Sequence, residues 1–304
     1  MRIFSSEANY DFVGKRRLCF FLSAAVILVG LVSWLVRGGL NYGIDFAGGT
    51  LVQVRFEREV PVGTIRRALG GLALGDTLVQ NFGDPREVLI RVERTAETLE
   101  GLAAKIKEAL SRHIGTPFEV RRTEAVGPQV GKDLRRKALL SVFYAMIGIV
   151  IYITLRFQFK YAVAAIIALI HDVLITIGVF SLVDKEFSLP IVAALLAIIG
   201  YSLNDTIVVF DRIRENTRLI RRTSLESIIN TSINHTLSRT ILTSGTTLLA
   251  VGAFYALGSE VIRDFAFALL VGIVVGTYSS IYIASPILIA WPGAAQTTKR
   301  KRRA

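Results

Sequence analysis

The sequence predicts an α-helical polytopic membrane protein of six spans, with one α+β domain inserted between the first span and the second. Three observations predict it. Of 304 residues, 52% are hydrophobic, and apolar runs of about 18 to 25 residues are long enough to cross a hydrocarbon core roughly 30 Å thick. Residues 37–137 break that pattern, alternating short period-2 segments with segments of helical period. The net charge of +12 gathers in Arg and Lys clusters beside the apolar runs, as on cytoplasmic flanks, so it requires no nucleic-acid partner.

Composition also narrows the chemistry. The one cysteine, Cys19, lies within the first apolar run, which leaves no intramolecular disulfide. Three scattered histidines and the lack of a cysteine cluster make no metal site. Gly-x-Ser-x-Gly, Walker and His-Glu-x-x-His motifs are missing. The expectation is a protein that is not an enzyme and uses no cofactor.

Residues 1–17 form a polar lead ending in Lys15-Arg16-Arg17, which is expected to stay cytoplasmic. The first span, 18–36, reads as an uncleaved anchor with Trp34 at its interface. The domain at 37–137 is then extracytoplasmic. Its glycine-rich opening, Gly43-Ile44-Asp45-Phe46-Ala47-Gly48-Gly49-Thr50, suits a structured turn that feeds a strand.

Residues 50–57 alternate Leu51, Gln53 and Arg55 against Val52, Val54 and Phe56, a half-buried strand. Val62 to Leu69 reads as a helix after Pro61. Strands are expected at 77–82 and 87–93, joined by a turn at Gly83-Asp84-Pro85-Arg86. A helix at 95–114 has Thr95 as N-cap and an apolar stripe through Leu99, Leu102, Ile106 and Leu110. A last strand, 117–126, completes a βαββαβ order, ferredoxin-like. Residues 127–137 read as a re-entry linker.

Five spans follow at 138–155, 161–183, 189–210, 240–257 and 265–291, before a basic cytoplasmic tail at 292–304. Residues 225–237 are amphipathic and are expected to lie along the membrane surface. Both termini are then cytoplasmic.

The span from Leu189 carries the candidate site. Asp205 interrupts apolar sequence, and an acid within a spanning helix costs several kcal/mol, so such residues are rare and mostly functional. Ala193, Ala197, Gly200 and Asn204 share one helical stripe, a small-residue seam suited to close helix contact. Asp205, beside it, is expected to face a neighbouring helix. Arg239 opens the next span, with Thr243, Thr246 and Ala250 continuing its face, and is the expected ion-pair partner of Asp205. His171-Asp172 is a second candidate on the ion pathway, together with Asn204 and Thr243. Adjacent residues point about 100° apart on a helix, so the two are not expected to form one site.

These residues resemble the SecF family, within the SecD/SecF proteins of the RND superfamily. The resemblance rests on Gly43 to Thr50, on Gly200-Tyr201-Ser202-Leu203-Asn204-Asp205-Thr206-Ile207-Val208-Val209-Phe210-Asp211-Arg212-Ile213-Arg214-Glu215-Asn216, and on Leu237-Ser238-Arg239-Thr240. It covers nearly the whole chain. It implies an RND-type half that pairs with SecD in a bacterial inner (plasma) membrane. It further implies work beside the SecYEG channel and YajC, with a proton gradient helping an unfolded polypeptide to finish crossing. Asp205 and Arg239 take the family's ion-coupling roles, and Gly43, Asp45, Gly48 and Gly49 are its structural motif. The alternatives from other classes are an RND-type small-molecule exporter half, which usually has two large external loops in one chain, and a structural membrane scaffold, which has no need of Asp205.

Overall fold

The computed structural model describes residues 10–72, 77–92, 99–220 and 223–291. The chain begins with α1 (Arg16–Val36), a short α2 (Ile44–Ala47), β1 (Gly49–Phe56), α3 (Val62–Leu69) and β2 (Thr77–Phe82). It continues through β3 (Asp84–Val92), α4 (Leu99–His113), β4 (Phe118–Val126) and α5 (Pro128–Arg156). The long helices α6 (Phe159–Leu182), α7 (Leu189–Leu219), α8 (Leu225–Leu257) and α9 (Glu260–Ser279) follow. A π-helical turn, Ser280–Ala284, joins α9 to α10 (Ser285–Ala290). Two compact units result, one of Tyr42–Leu140 with Glu186–Leu189, the other of the remaining described residues.

The first unit is a four-stranded antiparallel sheet in the order β2-β3-β1-β4, with α3 and α4 packed on it. Valines 52 and 54 of β1 lie opposite Ile90 and Val88 of β3 and meet Ile65, Leu102, Ile106 and Leu110. This is the face the alternation predicts. Leu51, on the reverse face, is buried as well, against Ile44 and Leu89. The hairpin is tighter than expected: β3 already begins at Asp84, so only Gly83, at φ 67°, turns the chain. Asp84 accepts from the backbone N–H of Arg86 at 2.9 Å and from its guanidinium at 2.8 Å. Thr95, read as a helix cap, lies outside the described residues.

Among the described residues six helices are long and apolar enough to span a membrane, by length and composition. Their bounds exceed the hydropathic runs. The expected linker at 127–137 is helical from Pro128, because nothing after that proline breaks the helix into the apolar run. The segment expected on the membrane surface is likewise the start of α8, capped by Ser224, with Ile229 and Ile233 buried in the core. The N-terminal lead docks on it: Asn230 Oδ1 accepts from the backbone N–H of Phe12 at 2.9 Å, and Asn234 Oδ1 from that of Tyr10 at 2.9 Å.

Close helix contact falls where the stripe argument did not look. A Cβ on Gly30 of α1 would sit 2.7 Å from the Cα of Gly178 on α6, closer than real side chains come, and one on Gly178 would sit 3.1 Å from the Cα of Gly30. The α7 seam is otherwise placed. Ala193, Ala197, Gly200 and Asn204 are all exposed, and nothing lies within 4 Å of a Cβ on Gly200. The opposite face of α7 turns inward, where Gly272 and Gly276 of α9 make room for Ile198 and Ser202.

Candidate functional site

Asp205 is buried, as expected of an acid facing its own bundle. Its Oδ1 accepts from Thr240 Oγ1 of α8 at 2.8 Å, and its Oδ2 from Ser280 Oγ in the π-helical turn at 2.9 Å. Arg239 is exposed and makes no close ion pair with Asp205, although its charge still acts on that carboxylate from a distance. Thr240 faces inward, and the neighbouring residue must then point about 100° away. The face of Thr243, Thr246 and Ala250 is exposed with Arg239, and Thr246 Oγ1 returns to its own helix, donating to Leu242 O at 2.9 Å. The inward hydroxyl face of α8 is Thr236, Thr240 and Ser244, the last paired with Thr277 of α9 at 2.7 Å. Asn204, one residue before the carboxylate, lies on the exposed side.

The second carboxylate lies deeper. Asp172 is 1% exposed, and its Oδ2 accepts from Ser202 Oγ of α7 at 2.6 Å and Ser279 Oγ of α9 at 2.8 Å. His171 and Asp172 do form one site, against expectation: Nδ1 of the ring lies 2.8 Å from Asp172 Oδ1. Their Cβ atoms diverge, but χ rotations bring the two planar groups back together. The other ring nitrogen, Nε2, reaches Ser23 Oγ of α1 at 3.0 Å, and the ring stacks on Tyr278. Ser23 Oγ meets Tyr278 OH at 3.1 Å, and Tyr278 OH donates to Cys19 O at 2.8 Å.

Thr240, Ser280, Ser202, Ser279, Ser23 and Tyr278 were therefore not foreseen. One signal for them was present, the Ser279-Ser280 pair inside an apolar run, which lacks a reason to be there unless something polar faces it.

The glycine motif does more than turn the chain. Asp45 Oδ2 accepts from the backbone N–H of Leu189 at 2.8 Å, and Leu189 is the first residue of α7. The first N–H groups of a helix have no partner within it, and a carboxylate there is favoured by hydrogen bonding and by the helix dipole. The N–H of Gly43 donates to Phe187 O at 3.0 Å, and Tyr42 bridges Phe187 in parallel. Gly48 and Gly49, at φ 75° and 114°, take conformations that side chains resist, and a Cβ on Gly48 would meet Pro128 Cα at 3.0 Å. Among the described residues no group of three or more His, Cys, Asp or Glu is placed to hold a metal ion.

Long apolar helices, six among the described residues, with two buried carboxylates held by hydroxyl donors, define a multi-pass membrane protein with ionisable groups inside its bundle. Comparison with known proteins narrows the class. The family described as "Protein export membrane protein SecD/SecF, C-terminal" matches residues 106–294, and the "SecD/SecF GG Motif" matches residues 32–60. The protein translocase subunit SecF of Calditerrivibrio nitroreducens is 48% identical, over 95% of this chain and 96% of the relative. That of Desulfurispirillum indicum is 50% identical, over 92% and 91%. The crystal structure of SecDF from Thermus thermophilus, described as a translocon-associated membrane protein, superposes with a TM-score of 0.85 at 39% identity. That match covers 95% of this chain but 39% of the SecDF chain, so the chain spans about two fifths of that structure's length. The chain belongs to the SecD/SecF family, on its SecF side.

Proposed function

We propose that this chain is the SecF-type subunit of a SecDF complex, coupling a proton gradient to the late stage of polypeptide passage through the SecYEG channel. The single observation that carries the coupling is the environment of Asp205, a buried acid held by two hydroxyls, with the exposed Arg239 one residue from one of them and its charge acting on the carboxylate through space. Hydroxyl donors bind the ionised carboxylate more strongly than the neutral acid. Proton uptake therefore loosens the hold on α8 and on the π-helical turn, and proton release restores it. A turn of α8 by one residue exchanges Thr240 for Arg239 at the carboxylate. One charge crossing 100 mV supplies about 2.3 kcal/mol, enough to bias such an exchange more than tenfold.

The partner reading rests on the relatives' names and on the exposed faces. SecD covers the seam of Ala193, Ala197, Gly200 and Asn204, whose small side chains suit a closely packed helix from a second chain. SecYEG, YajC and the translocating unfolded polypeptide are further partners. The chain sits in a bacterial inner membrane with both termini cytoplasmic and the sheet unit outside. It catalyses no covalent chemistry. The strand order β2-β3-β1-β4 with two helices supports a ferredoxin-like reading of that unit.

The test is completion of export into vesicles holding the reconstituted complex, with and without an imposed proton gradient. Stimulation by the gradient is expected in the native protein and not in Asp205→Asn. Stimulation that survives in Asp205→Asn overturns the reading.

A further inference from the structure

His171 and Asp172 are buried and titratable, and the mechanism above does not use them. Their hydrogen bonds settle more than their positions. A carbonyl only accepts, so Tyr278 OH spends its one proton on Cys19 O. Ser23 Oγ, 3.1 Å from that phenol, must then donate to it. With its proton spent, Ser23 can only accept from His171 Nε2, which therefore carries a hydrogen. A neutral imidazole with hydrogen on Nε2 offers a lone pair at Nδ1. The 2.8 Å contact from Nδ1 to Asp172 Oδ1 then needs a proton of its own, on the ring or on the acid. In either placement the pair has no net charge. That state is the one a site with Asp172 1% exposed favours, since among the described residues no Lys or Arg pairs with this acid.

Loss of that proton sets two lone pairs against each other and breaks the contact. The groups bonded to the Asp172 carboxylate are His171 on its own helix, Ser202 from α7 and Ser279 from α9, while Ser23 from α1 and Tyr278 from α9 face the His171 ring.

A second observation ties this pair to the first carboxylate. Ser279 donates to Asp172 and Ser280 donates to Asp205, and the two serines are consecutive at the junction of α9 with the π-helical turn. Each has a second acceptor in its own helix, Gly276 O at 3.1 Å for Ser279 and Thr277 O at 2.9 Å for Ser280. A hydroxyl has one proton, so each serine turns toward its carboxylate when that group is charged and back to the helix when it is not. Neither residue can shift its backbone without moving the other, and π-helical turns are common at functional sites.

We propose that His171–Asp172 is a second proton-binding site of the membrane unit, coupled to Asp205 through the consecutive serines 279 and 280. Its purpose rests on the gradient-driven reading above, but its test does not. Infrared difference spectra of the purified complex with SecD in lipid, recorded as pH is varied, report the carbonyl stretch of a protonated carboxyl.

Asp172→Asn is expected to remove one such band, or to abolish the ring signals of His171 that titrate in its place. It is also expected to move the midpoint of the Asp205 band by about one pH unit or more, as interacting sites do. Ser279→Ala with Ser280→Ala keeps both titrations and loses the mutual shift. Should Asp172→Asn fail to fold, Ser23→Ala frees Nε2 from its fixed role and must move the His171–Asp172 midpoint.

A folded Asp172→Asn complex that loses no titrating signal, or a Ser23→Ala complex with an unmoved midpoint, overturns the proposal. Two coupled titrations in a complex whose export ignores the gradient leave this site standing and remove the functional reading instead.

Discussion

Thr240 occupies the place at Asp205 that Arg239 was expected to take: its Oγ1 lies 2.8 Å from Asp205 Oδ1, while the arginine next to it is exposed. The carboxylate is therefore held by a donor that cannot neutralise it. The proposed cycle needs both α8 residues, one to hold the acid and one to replace the hold.

Arg239 variants separate charge from shape. Arg239→Ala should abolish gradient-stimulated export while leaving the complex assembled, because no bond within this chain is lost. Arg239→Lys keeps the charge but not the planar fork, and is expected to retain partial activity. Full activity in Arg239→Ala, measured by export into energised vesicles, would remove it from the cycle.

Thr240→Val keeps the shape of the side chain and deletes the donor to Asp205. Leaving a buried acceptor short of a bond costs about 1–3 kcal/mol, so thermal unfolding of the complex should shift downward at a pH where Asp205 is ionised. Thr240→Ser should behave as the native protein. An unshifted melt in Thr240→Val would mean that the hydrogen bond contributes nothing.

Two glycines on spanning helices should respond differently to enlargement. At Gly30 even a Cβ would approach Gly178 Cα to 2.7 Å, so Gly30→Leu should fail to accumulate. At Gly200 nothing lies within 4 Å, so Gly200→Leu should insert and fold yet copurify less SecD. Normal copurification of SecD with Gly200→Leu would place the seam against lipid.

Asp45→Ala removes the carboxylate at the first turn of α7, and caps of this kind contribute about 0.5–2 kcal/mol. Amide exchange at the first turn of α7 should accelerate accordingly, while Asp45→Asn, which retains an acceptor oxygen, should change it little. Equal protection in Asp45→Ala would assign the motif to turn geometry alone.

Acid should act on the sheet unit through Asp84. The guanidinium of Arg86, and then its backbone N–H, hold this carboxyl at about 2, below its ordinary 3.8. A group held low contributes stability above its unfolded value and loses it as pH falls through the folded one. The contribution should thus fade between about 4 and 2, and Arg86→Ala should return the carboxyl toward its ordinary range. A carboxyl NMR titration checks both.

Much of this was legible in one dimension. The spans follow from the length of apolar runs, a constraint of the bilayer that needs no partner. The α3 helix has the bounds its period indicates, Val62–Leu69, because Pro61 starts it and its apolar face finds the sheet beneath. Asp205 stood out because an acid in a span is costly wherever it points, and the glycine motif because positive φ is a local demand.

What the tertiary structure decided was direction. A helix places residues 239 and 240 about 100° apart, and sequence does not say which of them its neighbour meets. The same ambiguity hid the exposed side of the α7 seam, and it hid the return of His171 onto Asp172 through side-chain torsions. The capping of α7 by Asp45 joins residues 144 apart in sequence, which no periodicity reports. Chain-local energies determined which elements this protein forms, and only the packing of one element on another determined which of its polar residues meet.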